Sequence, residues 1–261
     1  MRDCRAHRRW LVSVLALLGQ CRTLPDPVPL RYRCHRAAQP IVIDGVQEAA
    51  WDAAPWTADF VDIEGAGKPR PRFRTRARML WDDECFYVAA SIEEPHVCAT
   101  LERHDEIVFH DDDFEVFLDP DGDTRAYYEI EVNALNTVFD LFLERMYRDG
   151  GPAHHEWDLA ALRTAVHVDG TLNDPADTDR GWSVEIAMPW RSFGPAANMP
   201  CPPRDGDTWR VNFSRVEWRY DVEGGRYCKR AGEREDNWVW SPQALVDMHL
   251  PRRWGYVTFV Q

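Results

Sequence analysis

The chain has 261 residues, enough for one large domain or two small ones, and is rich in Trp (12), Phe (11) and Tyr (8), while 18 Pro and 15 Gly favour turns over long helices. Its formal charge is −13 but uneven: residues 1–36 set eight Arg against Asp3 and Asp26, and the remainder is strongly acidic. An acidic body is repelled by phosphate backbones, so nucleic acid is not an expected partner. The seven cysteines form no CxxC pair, so neither a zinc site nor a disulfide framework is expected and buried free thiols are.

At the N-terminus, basic residues precede a short apolar run, Trp10 to Leu18. That order resembles an export signal, and the run is too short to cross a bilayer as a helix. LLGQC, ending at Cys21, is close to a lipoprotein box, so 1–21 reads as a signal segment and the expected location is extracytoplasmic: secreted, periplasmic or lipid-anchored. Residues 22–40 contain four Pro and no apolar period, which reads as a linker or arm, with the domain starting near Ile41.

IVIDG (41–45) reads as a strand and EAAWDAAPW (48–56) as a helical turn with Trp51 and Trp56 inward. In 73–81, Phe73, Thr75, Ala77, Met79 and Trp81 alternate with Arg74, Arg76 and Arg78, the pattern of a half-buried strand. WDDE turns the chain into CFYVAASI (85–92), completing a hairpin. DFEVFLD (113–119) is the next strand, closed by PDGD. In 126–135, Tyr128, Ile130 and Val132 alternate with Glu129, Glu131 and Asn133. Further strands are expected over 137–144, the end of 154–168, 181–189, 208–218 and 254–260, with a Pro-initiated helical turn at 189–194. Nine or ten short strands without a long helix point to an all-β chain, an antiparallel β-sandwich or jelly roll.

Residues 110–123 hold seven acids. The plainest reading is a solvated turn, ahead of a hard-cation site and then of a glycosidase carboxyl pair. His104, His110, His154 and His155 show no metal-ligand spacing, and GxSxG and a Gly-rich phosphate loop are both lacking. Aromatics remain. In NWVW (237–240), side chains two apart share a face, so Trp238 and Trp240 point one way and Val239 the other. With Val inside, the two indoles face solvent beside Asn237 and could stack on the C–H face of a sugar. Packing over the core is the alternative, since Trp is usually buried.

The order of segments IVIDG, EAAWDAAPW, ARMLWDDECFYVAASIEEP, DDDFEVFLDPDGD, YYEIEVNALN, GWSVEIAMPWRSFG, WRVNFSRVEW, NWVWSP and WGYVTF resembles the family 9 carbohydrate-binding module in its family 9-like form, from about Ile41 to Val260. The resemblance implies a non-catalytic β-sandwich that binds glycans and is associated with glycoside hydrolases and polysaccharide breakdown. By motif it assigns Phe109 to a first aromatic platform, Glu115 to sugar hydroxyls, Asn237 to a second polar contact and Trp240, with Trp238 beside it, to a second platform. Two departures stand out: Phe109 replaces Trp, and Glu131 stands where that branch has a sugar-binding Arg, for which Arg74, Arg76 or Arg78 could substitute from another strand. The branch also carries structural calcium, which the acids here permit. Two other readings stay open. One is a glycoside hydrolase using Glu115 with Glu131 or one of Asp111 to Asp113. The other is a haem-binding sandwich of the DOMON type with Met146, Met188 or His167 as ligands.

Overall fold

The structure is a computed structural model that describes residues 27–261; the signal-like segment 1–21 and the start of the expected arm lie outside the described residues. Fifteen strands are present among the described residues. They are β1 (Arg31–Arg36), β2 (Val61–Asp62), β3 (Thr75–Trp81), β4 (Cys85–Glu93) and β5 (Asp113–Asp119), followed by β6 (Tyr127–Asn133), β7 (Val138–Leu143), β8 (Ala153–His154), β9 (Arg163–Asp169) and β10 (Gly181–Pro189). The chain ends with β11 (Thr208–Glu217), β12 (Tyr220–Glu223), β13 (Arg226–Lys229), β14 (Asp236–Val239) and β15 (Gly255–Val260). Thirteen form one curled sheet in the order β8-β7-β6-β5-β11-β15-β1-β3-β4-β10-β9, with β14 on β11 and β2 on β14; β12 and β13 make a separate hairpin.

The curl closes the sheet over itself as a two-layered sandwich. Phe114, Val116 and Leu118 of β5 and Ile130 and Val132 of β6 meet Phe86, Val88 and Ile92 of β4 and Val184, Ile186 and Met188 of β10 in one interior. The period-2 alternation read from the sequence is the cause: on each strand the apolar set shares one face, and each large side chain so buried contributes about 1.5–3 kcal/mol. The β5–β6–β7 layer is unusual in being covered on its outer face too. There Phe117, Phe139, Leu141, Val239 and Trp254 form a second apolar cluster.

Several expectations change. The arm ends early: β1 buries Tyr32 and Cys34 and runs parallel to both β15 and β3, so the sandwich is not purely antiparallel. IVIDG is not a strand. Trp51 is fully buried, its indole N–H donating to Glu185 (2.7 Å), whereas Trp56 is half-buried beneath the guanidinium groups of Arg76 and Arg78. Pro189 ends β10 and caps the short turn Trp190–Ser192 instead of opening it. All five described cysteines are free, and three of them are buried.

Candidate functional site

The outer face of β5 and β6 holds the site. These strands pair antiparallel with Glu115 directly across from Glu131 and Phe117 across from Glu129; β7 then sets Phe139 across from Glu131 and Leu141 across from Glu129. Strand alternation therefore sends Asp113, Glu115, Glu129 and Glu131 away from the interior together. Around them rise the 3-10 turn Val108–His110, which carries Phe109, the segment with Tyr147, and the segment with Asp247 and His249. The result is a cleft of about 420 Å³ with Asn237 at its β14 edge.

Electrostatically the floor is one-sided. Asp113, Glu115, Glu129 and Glu131 are each buried. Burial pushes the Glu115 carboxyl up to about 7. Burial first, then the charges of their neighbours, push Asp113, Glu129 and Glu131 well above the usual carboxylate range. Glu131 accepts the Phe109 backbone N–H (3.0 Å), so the acid fixes the turn that carries the ring. Asp113 accepts the Val216 N–H through Oδ1 (3.1 Å), while its Oδ2 is buried without a hydrogen-bond partner. Arg148 lines the cleft but donates to Asp247 (Nε–Oδ2 3.0 Å). His249 is lowered to about 4 by burial and is therefore neutral at pH 7, its Nδ1 3.1 Å from the Tyr127 hydroxyl. Among the described residues, none of these four acids pairs with a Lys or Arg.

Phe109 (38% exposed), Glu115 and Asn237 thus meet in one cleft. Trp238 and Trp240 do not. They share a face, as the sequence implied, but that face is the interior, and they are 3% and 2% exposed. Trp240 packs on Phe213 (5.8 Å between ring centroids) and edge-on to Tyr32 (6.4 Å). A Cβ on Gly255 would lie 2.4 Å from its ring, so the backbone of β15 closes against the indole. The exposed-indole expectation fails because Val239 points into the outer apolar cluster, not into the interior. Glu129, Phe139, Tyr147 and His249 also line the cleft, and the sequence reading did not place them there. Glu129 was legible, since it shares the parity of Glu131.

Other candidates fall away from the cleft. Arg76 and Arg78 lie on β3 in the opposite layer and Arg74 just before it; Arg74 pairs with Glu93 (2.8 Å) and Arg78 donates to the Trp51 carbonyl (2.9 Å). Carboxylate oxygens of Asp119, Asp121 and Asp123 lie within 4.8 Å of one another, as a cation site would need. Asp119 already accepts the N–H groups of Gly122 and Thr124, Asp121 that of Asp123, and Asp123 that of Arg125, so this set fits a self-closed loop better than a cation cage. Met188 lies in the interior, Met146 beside the outer cluster and His167 exposed on β9, three separate places that do not form a haem pocket. Glu115 and Glu131 sit side by side on neighbouring strands, whereas a glycosidase pair flanks the scissile bond. No described helix is long and apolar enough to cross a membrane.

Comparison with known proteins agrees with this architecture. Residues 43–202 match the family model described as carbohydrate family 9 binding domain-like. The chain is 25% identical over 164 residues to the endo-1,4-beta-xylanase A of Thermotoga neapolitana, a stretch covering 60% of this chain and 13% of that enzyme. Its fold is similar to a family 9 carbohydrate-binding module from Caldicellulosiruptor kristjanssonii in complex with cellotriose (TM-score 0.57, 15% identity, 88% of this chain and 93% of that one). A family 9 module from the same organism in complex with glucose gives a TM-score of 0.55 at 16% identity, over 87% of this chain and 95% of that one. With more than half of its length matched, the chain belongs to the carbohydrate family 9 binding domain-like family.

Proposed function

We propose that the domain binds glycans without cleaving them, through the cleft on the outer face of β5 and β6. The observation that carries this reading is the exposed Phe109 ring beside a floor of hydrogen-bonding carboxyls, in a hollow large enough for a sugar unit. The ring offers an apolar plate to C–H groups, and carboxyls that burial keeps partly protonated can both accept from and donate to hydroxyls. Asn237 adds an amide at the rim. A shallow site of this kind binds at roughly micromolar to millimolar affinity, about −8 to −4 kcal/mol. Because the chain spans 13% of the xylanase it resembles, the activity of that enzyme does not transfer; the role proposed is glycan attachment in carbohydrate breakdown. Export is part of the proposal, supported by the basic-then-apolar order of residues 1–21.

The test is titration calorimetry against a panel of oligosaccharides, with Phe109→Ala and Trp240→Phe compared with the parent. Phe109→Ala should weaken binding about fivefold to tenfold, the loss of one stacking plate of roughly 1 kcal/mol. Trp240→Phe should lower thermal stability and leave affinity unchanged. The opposite pattern would return the site to the interior-facing indole and overturn this placement.

A further inference from the structure

We propose that the preferred ligand is a sugar bearing a free ammonium group, a 2-amino-2-deoxy sugar, with its nitrogen held by the carboxylates of Asp113, Glu115 and Glu131. The inference rests on the cleft being the glycan site and names the class of glycan it selects.

The floor has too many acceptors for a neutral sugar alone. Carboxylate oxygens from Asp113, Glu115 and Glu131 lie within 4.8 Å of one another, and Glu129 lies beside Glu131 on the same face of β6. Five carboxyl-bearing side chains line the cleft, counting Glu235 and Asp247, against the single guanidinium of Arg148, which Asp247 already engages. Independently of this crowding, Asp113 is 0% exposed and its Oδ2 is buried and accepts no hydrogen bond. Such an atom costs free energy unless a donor reaches it. An ammonium brings three N–H donors, no acceptor and a compensating charge, so it matches three converging oxygens. A hydroxyl brings one donor and leaves the remaining charge unmatched.

A bare divalent cation is the competing occupant. Calcium takes 6–8 oxygens, and the floor offers three close carboxylates. The walls, with Phe109, Phe139 and Tyr147, suit an organic body attached to the charge. Ammonium binding also requires the floor to ionise. The groups that face it are Glu115 from β5, Glu129 and Glu131 from β6, and Tyr147, Arg148, His155, Glu235, Asp247 and His249 from the walls, with Asp113 buried against Glu115 and Glu131. Burial raises the floor acids, so proton release should accompany binding below neutral pH, where the sugar amine already carries its proton and only the carboxyls have one to lose.

The experiment is calorimetry of the full chain with three matched trimers: fully deacetylated chitotriose, its N-acetylated form and cellotriose. Each is run in two buffers of different ionisation enthalpy, with chelator and then with added calcium. The expected result is that the deacetylated trimer binds about tenfold or more tighter than both neutral trimers and releases protons, a charge-assisted gain. Glu131→Gln, which keeps an acceptor for the Phe109 N–H, should bring the ratio of deacetylated to neutral affinity close to one, whatever it does to neutral-sugar binding itself. Glu115→Gln is the second variant should Glu131→Gln fold poorly. Equal or tighter binding of the neutral trimers at this cleft would overturn the ammonium assignment and leave glycan binding standing. Binding of calcium that abolishes the preference would assign the floor to a metal and overturn it too. No binding of any trimer would remove both readings.

Discussion

Two buried acidic clusters begin at adjacent residues and end differently. Asp112 joins Glu94 and Glu217 on one side of the sheet, and Asp113 joins Glu115 and Glu131 on the other. The first cluster encloses Arg215, which is buried, donates to Glu217 (2.6 Å) and Glu94, and is backed by Arg72 on Glu217 (2.9 Å). Among the described residues the second encloses no Lys or Arg, and Glu115 and Glu131 open into the cleft. A charge balanced by the protein's own arginine is part of the scaffold, whereas one left unbalanced at the bottom of a hollow is free to be balanced from outside. A single step along the chain, from Asp112 to Asp113, separates the two roles.

The comparison can be broken most sharply at Arg215. Arg215→Met strands three acids in the interior and should cost about 3–5 kcal/mol, read as a fall in denaturation midpoint at pH 7. Little loss would mean that the first cluster is no more balanced than the second. The next effect has the opposite sign. A carboxyl raised from 4.5 to about 7, as Glu115 is, favours the fold fully below 4.5 and loses that contribution as pH rises through 7. Glu115→Gln should therefore stabilise the ligand-free protein by about 3 kcal/mol at pH 8, with the gain gone by pH 4.5. A variant less stable than the parent at pH 8 would refute the unbalanced floor. The smallest effect sharpens the boundary: Glu235→Gln, at the rim, should change stability by no more than about 0.5 kcal/mol at either pH.

Much of this was legible in the sequence where one face of a strand is apolar and the other polar. YYEIEVN set Ile130 and Val132 against Glu129 and Glu131, and the structure keeps that division. NWVW misled because β14 lies in a layer covered on both faces, so parity pairs the side chains correctly without saying which face meets water. RYRCHR looks like an arm in the sequence because prolines precede it and its partners lie far along the chain, on β3 and β15. Nor could the register that sets Glu115 across from Glu131 be read from either segment alone. Phe109, Glu115 and Asn237 came together only through the family resemblance.

The first strand of the sandwich has a mechanical consequence. β1 runs parallel to β15 over five register pairs, from Arg31 opposite Tyr256 to His35 opposite Val260. A tug applied through the leading end of one and the trailing end of the other would strain their shared hydrogen bonds all at once, in shear, and could not peel them apart singly. Pulling from both ends therefore loads this seam in shear, a resistance that single-molecule pulling can measure.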